Sequence, residues 1–210
     1  MDRTPRERDL SPTSARERIL QSAAALFPGG RIRATGVDAL IADADVAKAT
    51  FYRHFRSKDD LVAAWLRSPD ARWLDVVVAE LEARGYTPLG RLLGFWEVLG
   101  EWAEREQFRG CPYLNTLVEV RDPDHPAYPE IGSYIDEVEA YLSRTALEAG
   151  IHDAPTVGRQ LRFLAMGTWL SIVFEASTRP TLTARAMAVA LLAARMEITP
   201  DDVERRANVR

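Results

Sequence analysis

Lys48, Thr50, Tyr52, His54 and Lys58 fall within one stretch, KATFYRHFRSK, which also carries Arg53 and Arg56, contains no acid and has a formal charge of +4. These are the residue types that meet a nucleic acid. Short polar and basic side chains reach base edges, while phenol, imidazole and ammonium donors reach phosphate oxygens. The spacing predicts a short helix, AKATFYRHF, with Phe51 and Phe55 turned inward beside Val46. Lys48, Thr50 and Tyr52 do not share one stripe, but the N-terminal end of an inserted helix lets its side chains diverge onto neighbouring bases and phosphates. Tyr52 and His54 then flank the groove. Lys58 stands in the first turn of the next helix, where an ammonium and free amides together suit an anion. The plainer alternative is a basic, solvated helix packed by two phenylalanines.

The whole-chain charge points the other way, because 210 residues carry a formal net charge of -4 and a phosphate backbone calls for concentrated positive charge. The distribution reverses that inference. Both lysines of the chain lie in the basic stretch, residues 1–60 carry 11 basic against 9 acidic side chains, and the remainder carries 16 against 22. A basic head is therefore averaged with an acidic body. The single cysteine excludes a disulfide framework or a multi-cysteine zinc site and fits a reducing compartment. No apolar run approaches the roughly 20 residues that span a bilayer, and MDRTPRERDLSPTSARER has no signal-peptide core. The expectation is a cytoplasmic protein with no membrane partner.

The elements that must position the basic residues are helices. A capping box at Ser14 and Glu17 opens the first, with Ile19, Ala23, Leu26 and Phe27 at helical spacing, and Pro28-Gly29-Gly30 ends it. The Thr35 hydroxyl is expected to cap a second helix with Val37, Leu40 and Ile41 inside, and a short link leads to the third. Three short helices with a tight turn between the last two form a helix-turn-helix arrangement. A fourth helix starts at the Ser57 cap and extends toward Arg84, with Pro69 kinking or splitting it. Helices follow from Thr87-Pro88, from Cys111-Pro112 to about Arg121, and over about 129–149, 154–177 and 183–196. No window alternates like a strand. The fold is expected to be all-α, with residues 1–13 a mobile arm, 14–60 a helix-turn-helix head, and 61–210 a larger helical body for effector binding and dimerisation.

The span from Arg16 to Leu61, RERILQSAAALF...GRIRATGVDALIADADVAKATFYRHFRSKDDL, resembles the N-terminal domain of the TetR family of bacterial transcriptional regulators, and T-F-Y-R-H-F-x-S-K-D-D-L is its most specific block. The resemblance implies that the third helix reads an operator major groove. It further implies base or phosphate contacts for Lys48 and Thr50, and phosphate contacts for Thr35, Tyr52, His54 and Lys58. The family pattern has Gly where this chain has Asp45, a position that calls for a left-handed backbone. Aspartate tolerates that conformation at small strain. Residues 109–128, RGCPYLNTLVEVRDPDHPAY, resemble a TetR-type subgroup with a GC-x-aromatic stretch followed by DPDHP.

The body is rich in large rings. Trp65, Phe95, Trp96, Trp102, Tyr113, Tyr134 and Trp169, with Cys111, Asn115 and Glu119 among them, suggest a cage for a small apolar or aromatic effector. The alternative is that the rings fill a core. Leu161, Leu164, Ala165, Ile172, Met187 and Leu191 lie among small residues on the last two helices. The resemblance implies that these helices form a four-helix bundle with a second copy, as reading two half-sites of a palindrome requires. The resulting reading is a homodimeric, ligand-responsive repressor of a double-stranded operator, needing no cofactor or metal. Whether it represses or activates depends on where the operator lies. A small-molecule binding protein with a vestigial head, and a redox sensor built on Cys111 at a helix N-terminus, are the alternatives. Asp122, Asp124 and His125 have metal-ligand chemistry but also match a turn and helix cap. His54, His125 and His152 sit in unrelated contexts, and no nucleophile, phosphate-loop or zinc-protease motif accompanies them, so an enzyme is not expected.

Overall fold

The Ser14 hydroxyl and the Glu17 carboxylate do form the expected capping box. The Glu17 amide donates to Ser14 Oγ at 3.2 Å and the Ser14 amide to the carboxylate at 2.7 Å, opening α1 (Ala15–Leu26). In this computed structural model, which describes residues 14–105 and 108–208, all regular structure is helical. The arm expected over 1–13 lies outside the described residues. The second helix, α2 (Val37–Asp43), begins differently from expectation: Gly36 is its N-cap, with no side-chain hydrogen bond. The Thr35 hydroxyl instead donates to the Arg31 carbonyl at 2.8 Å, sharing that acceptor with its own main-chain amide at 2.9 Å in the turn that precedes the helix.

Asp45 takes the left-handed turn before α3 (Lys48–His54), at φ 48°. Arg18 of α1 braces that turn, Nε donating to the Ala44 carbonyl at 3.0 Å and Nη2 to Asp45 at 3.3 Å. Phe51 and Phe55 are buried, and with Ile19, Phe27 and Leu40 they make the core on which α1–α3 pack. Ser57 caps α4 (Lys58–Leu66), accepting the Asp60 amide at 3.0 Å. Pro69 splits the long fourth helix outright: a single 3-10 turn, Pro69–Ala71, separates α4 from α5 (Trp73–Ala83). Proline supplies no amide for the helical ladder there.

The body comprises α6 (Pro88–Ala103), α7 (Pro112–Val120), α8 (Tyr128–Glu148), α9 (Ala154–Glu175) and α10 (Arg179–Met196). The last begins at Arg179 rather than Thr183. Between α8 and α9, a Cβ at Gly158 would lie 2.0 Å from Ser143 Oγ, so only glycine permits the approach. A further helix, α11 (Pro200–Asn208), was not expected from the sequence, since its polar run DDVERRAN buries only Val203 and Ala207. A capping pair starts it: the Asp202 amide and Thr199 Oγ1 lie 3.2 Å apart. It lies on α6, and Arg185 of α10 holds it through Glu204 at 2.9 Å while also bonding Glu97 at 3.0 Å. No described helix is long and apolar enough to cross a membrane.

Candidate nucleic-acid interface and effector cavity

Burial of Phe51 and Phe55 leaves the opposite side of α3 in solvent. Lys48, Tyr52, Arg53 and His54 are exposed, Tyr52 by 46% despite its ring, and Thr50 is half-buried. Ala49 lies among them. The Lys48 ammonium stands 3.6 Å from the Asp38 carboxylate of α2, and both side chains are open to water. Such a pair is weak and easily exchanged for another anion. Arg53 was not singled out by the sequence reading, although it lies one residue from Tyr52 on the same exposed side. The signal available was the helical period of the two phenylalanines, which places 52 and 53 outward together.

Two of the residues named for phosphate contact are occupied within the head. The Thr35 hydroxyl is buried and its proton is given to main-chain carbonyls, which leaves no donor for a phosphate. The Lys58 ammonium donates to the Ile32 carbonyl at 2.8 Å and the Thr35 carbonyl at 3.1 Å, tying α4 to the α1–α2 loop. Those carbonyls lack helical partners, and a cation in reach satisfies them better than solvent does.

The second space lies in the body. Phe95, Cys111, Tyr113, Tyr134 and Trp169 line a cavity of about 30 Å³, joined by Trp73, Arg162 and Met166. That is room for a water molecule or two. The Tyr113 and Tyr134 rings stack in its wall, and Trp73 meets Trp169 edge-on with centroids 4.6 Å apart. Burial raises the Tyr134 phenol well above its ordinary range, against a smaller opposing pull from the Leu74 amide, and burial raises Tyr113 as well. Burial also pushes the Cys111 thiol up to about 11, outweighing the Leu114 and Tyr113 amides at the start of α7. The redox expectation took the helix terminus to be the stronger influence; desolvation is stronger here.

The remaining residues expected in the cage stand elsewhere. Trp65 packs edge-on against Phe27, centroids 5.5 Å apart, and belongs to the core under α1. Trp96 is fully buried beside Phe95, and Trp102 meets Trp73 with the Arg105 guanidinium 5.0 Å above its ring. Asn115 donates to the Arg109 carbonyl at 2.7 Å. Glu119, expected to orient a ligand, instead accepts the main-chain amides of Ile32 at 3.3 Å and Arg33 at 2.9 Å. One end of α7 thus lines the cavity while the other holds the α1–α2 loop of the head.

A wider cleft of about 670 Å³ opens beside the cavity, between Gly29 and the ends of α6 and α9. Phe108 lines the cleft and stacks on Trp169 at 5.4 Å, so two rings stand between the spaces. Asp122 and His125 shape the connection to α8: Asp122 accepts the Asp124 amide at 3.0 Å, His125 Nδ1 accepts the Ala127 amide at 3.0 Å, and His125 Nε2 lies 3.3 Å from the Asp59 carboxylate of α4.

On α9 and α10, the residues named for a dimer face divide. Leu161, Ala165 and Ile172 are buried within the protomer, Leu164 and Leu191 are half-buried, and Met187 is exposed. Besides Met187, the large apolar side chains left in water on these two helices are Phe163, Leu170, Val173 and, 90% exposed, Phe174 on α9, and Leu182 on α10. Because α9 is apolar on two sides, its period does not say which side faces out.

Residues 19–65 match the family model described as bacterial regulatory proteins, tetR family. Over 166 residues the chain is 31% identical to the HTH-type transcriptional repressor KstR2 of Mycolicibacterium smegmatis, an alignment covering 77% of this chain and 79% of that one. A TetR-family transcriptional regulator from Streptomyces coelicolor has a similar crystal structure, with a TM-score of 0.77, 26% identity, and 86% and 95% of the two chains covered. The multidrug binding protein EbrR, complexed with malachite green, is similar at a TM-score of 0.65 and 25% identity, covering 84% and 96%.

Proposed function

The chain belongs to the TetR family of bacterial regulatory proteins and is a transcriptional regulator rather than an enzyme; we propose that it is a cytoplasmic repressor that binds a palindromic operator as a homodimer and is released by a small apolar or aromatic effector. The observation that carries this reading is the exposed, acid-free side of α3, backed by the buried Phe51 and Phe55. Lys48, Tyr52 and Arg53 enter the major groove, with Thr50 and His54 at its margins. On DNA, Lys48 exchanges its weak Asp38 partner for a phosphate or a base.

Dimerisation is supported by the exposed apolar side of α9 and α10, since contiguous exposed rings and long aliphatic chains mark interaction surfaces. It brings two recognition helices to two half-sites. The effector response is supported by the placement of α7. A ligand entering the cavity displaces its aromatic wall, the end of α4 follows, and the spacing of the two heads changes. The 3-10 break at Pro69 is the hinge of that motion, and Pro69→Ala should alter effector response. An effector that prefers the released state by about 1–3 kcal/mol suffices for regulation.

The test is binding to the DNA upstream of the protein's own gene, measured across a salt series. Replacing Lys48 and Tyr52 with Ala should weaken binding and flatten its salt dependence. Unchanged affinity in the double variant would sink the reading. Ligand binding without any salt-dependent DNA affinity would favour the rival, a small-molecule binder with a vestigial head.

A further inference from the structure

The chemistry of the ligand can be read from the hydrogen-bonding groups that the cavity leaves unanswered. The Trp73 indole N–H is buried without an acceptor, and Trp73 lines the cavity. Its ring neighbours, Phe95, Trp102 and Trp169, meet it edge-on. An indole N–H can only donate, and a buried donor without a partner is destabilising. The second group is Arg162. Its Nε bonds the Glu139 carboxylate at 2.8 Å, and its Phe163 neighbour lies 4.2 Å below the guanidinium. Its Nη1, however, faces the Met166 thioether sulfur at 3.2 Å, a weak acceptor. Among the described residues that line the cavity, Arg162 carries the only charge and none is a carboxylate. The Tyr113 hydroxyl proton is already given to the Leu66 carbonyl. Among the described residues, the walls therefore offer one buried donor without a partner, the Trp73 N–H, one donor held only by a weak sulfur acceptor, and no negative charge.

We propose, on the reading that this cavity is the effector site, that it takes a flat apolar ring compound whose polar group is a hydrogen-bond acceptor, a carboxylate or a ketone, and that it rejects cationic ligands. The flexible Met166 side chain yields to the ring, as an unbranched thioether can. The acceptor takes the place of the sulfur at Arg162 Nη1 and meets the Trp73 N–H. An ammonium ion in the same place would sit against the Arg162 guanidinium, whose carboxylate partner, Glu139, is not among the residues that line the cavity.

Calorimetric titration of the full chain with naphthoate, acetonaphthone, naphthalene and naphthylmethylammonium tests the proposal, with malachite green as a second cation. Naphthoate and acetonaphthone should bind about tenfold or more tighter than naphthalene, and both cations more weakly than naphthalene. Arg162→Met should bring naphthoate down toward naphthalene; Glu139 keeps Arg159 as a partner at 3.2 Å, so the substitution does not strand a carboxylate. Trp73→Phe should weaken the two acceptor ligands and spare naphthalene. Equal binding of all the naphthalene compounds, or preference for either cation, would overturn the ligand class and leave the effector site standing. Binding of none of them by protein that still holds its operator would overturn both.

Discussion

The Tyr113 hydroxyl donates to the Leu66 carbonyl at 2.6 Å while the Tyr113 ring lies flat on Tyr134, centroids 3.7 Å apart and planes 1° apart. Leu66 is the last residue of α4. The wall of the cavity and the end of the helix that carries the head are therefore one hydrogen bond apart. Tyr113→Phe should keep the stack but strand the carbonyl, lowering stability to urea by about 1–3 kcal/mol. It should also shrink the difference in operator affinity between empty and naphthoate-loaded protein. Full effector response in this variant would show that the signal travels another way.

Glu119 holds the amides of Ile32 and Arg33 from the far end of α7. Glu119→Ala should speed hydrogen exchange at those two amides, leaving the amides of α8 and α9 at their wild-type rates. Charge-assisted bonds of this kind contribute about 1.5–3 kcal/mol, which corresponds to at least a tenfold change in local opening. Unaltered exchange at both positions counts against the contact.

The Cys111 thiol sits at about 11 when folded, raised from an ordinary 9.0 by burial. The folded state thus favours the neutral thiol. Its contribution to stability is fully present below the ordinary value and is lost as pH rises through the folded one. At pH 8 the native chain should react with iodoacetamide about a hundredfold more slowly than the same chain in denaturant. Rapid labelling of native protein at that pH would restore the redox reading.

Phe174 presents 90% of its surface to solvent on α9, more than a lone protomer has reason to expose. If the proposed dimer forms through this face, wild-type protein should sediment as a dimer at micromolar concentration and Phe174→Glu as a monomer, with helix content unchanged. A buried aromatic anchor contributes about 2 kcal/mol or more to an interface. A variant sedimenting as the wild type places the interface elsewhere.

The head was legible in the sequence because its signals are local. The Ser14 and Glu17 pair, the Phe51 and Phe55 spacing and the Asp45 turn each involve neighbours within a few residues. Thr35 misled because a hydroxyl beside a helix start can equally well bond backward to the carbonyl four residues earlier. In the body, ring content foretold an aromatic cavity but not its membership. Trp65, Trp96 and Trp102 have the same chemistry as Trp73 and Trp169, and only helix packing separates them. Leu161 and Phe163 are two residues apart on a helix apolar on two sides, so one is core and the other faces solvent. Glu119 bonds an amide 86 residues away, a distance at which no periodicity speaks.

The bonds from Glu119 reach peptide nitrogens, not side chains. Residues 32 and 33 can therefore change identity without breaking them, proline alone excepted because it has no N–H. A mutational scan of that loop with alanine would pass over the joint entirely. Two proteins could share it with no residue in common at those positions, recognisable only by the acid on the other side.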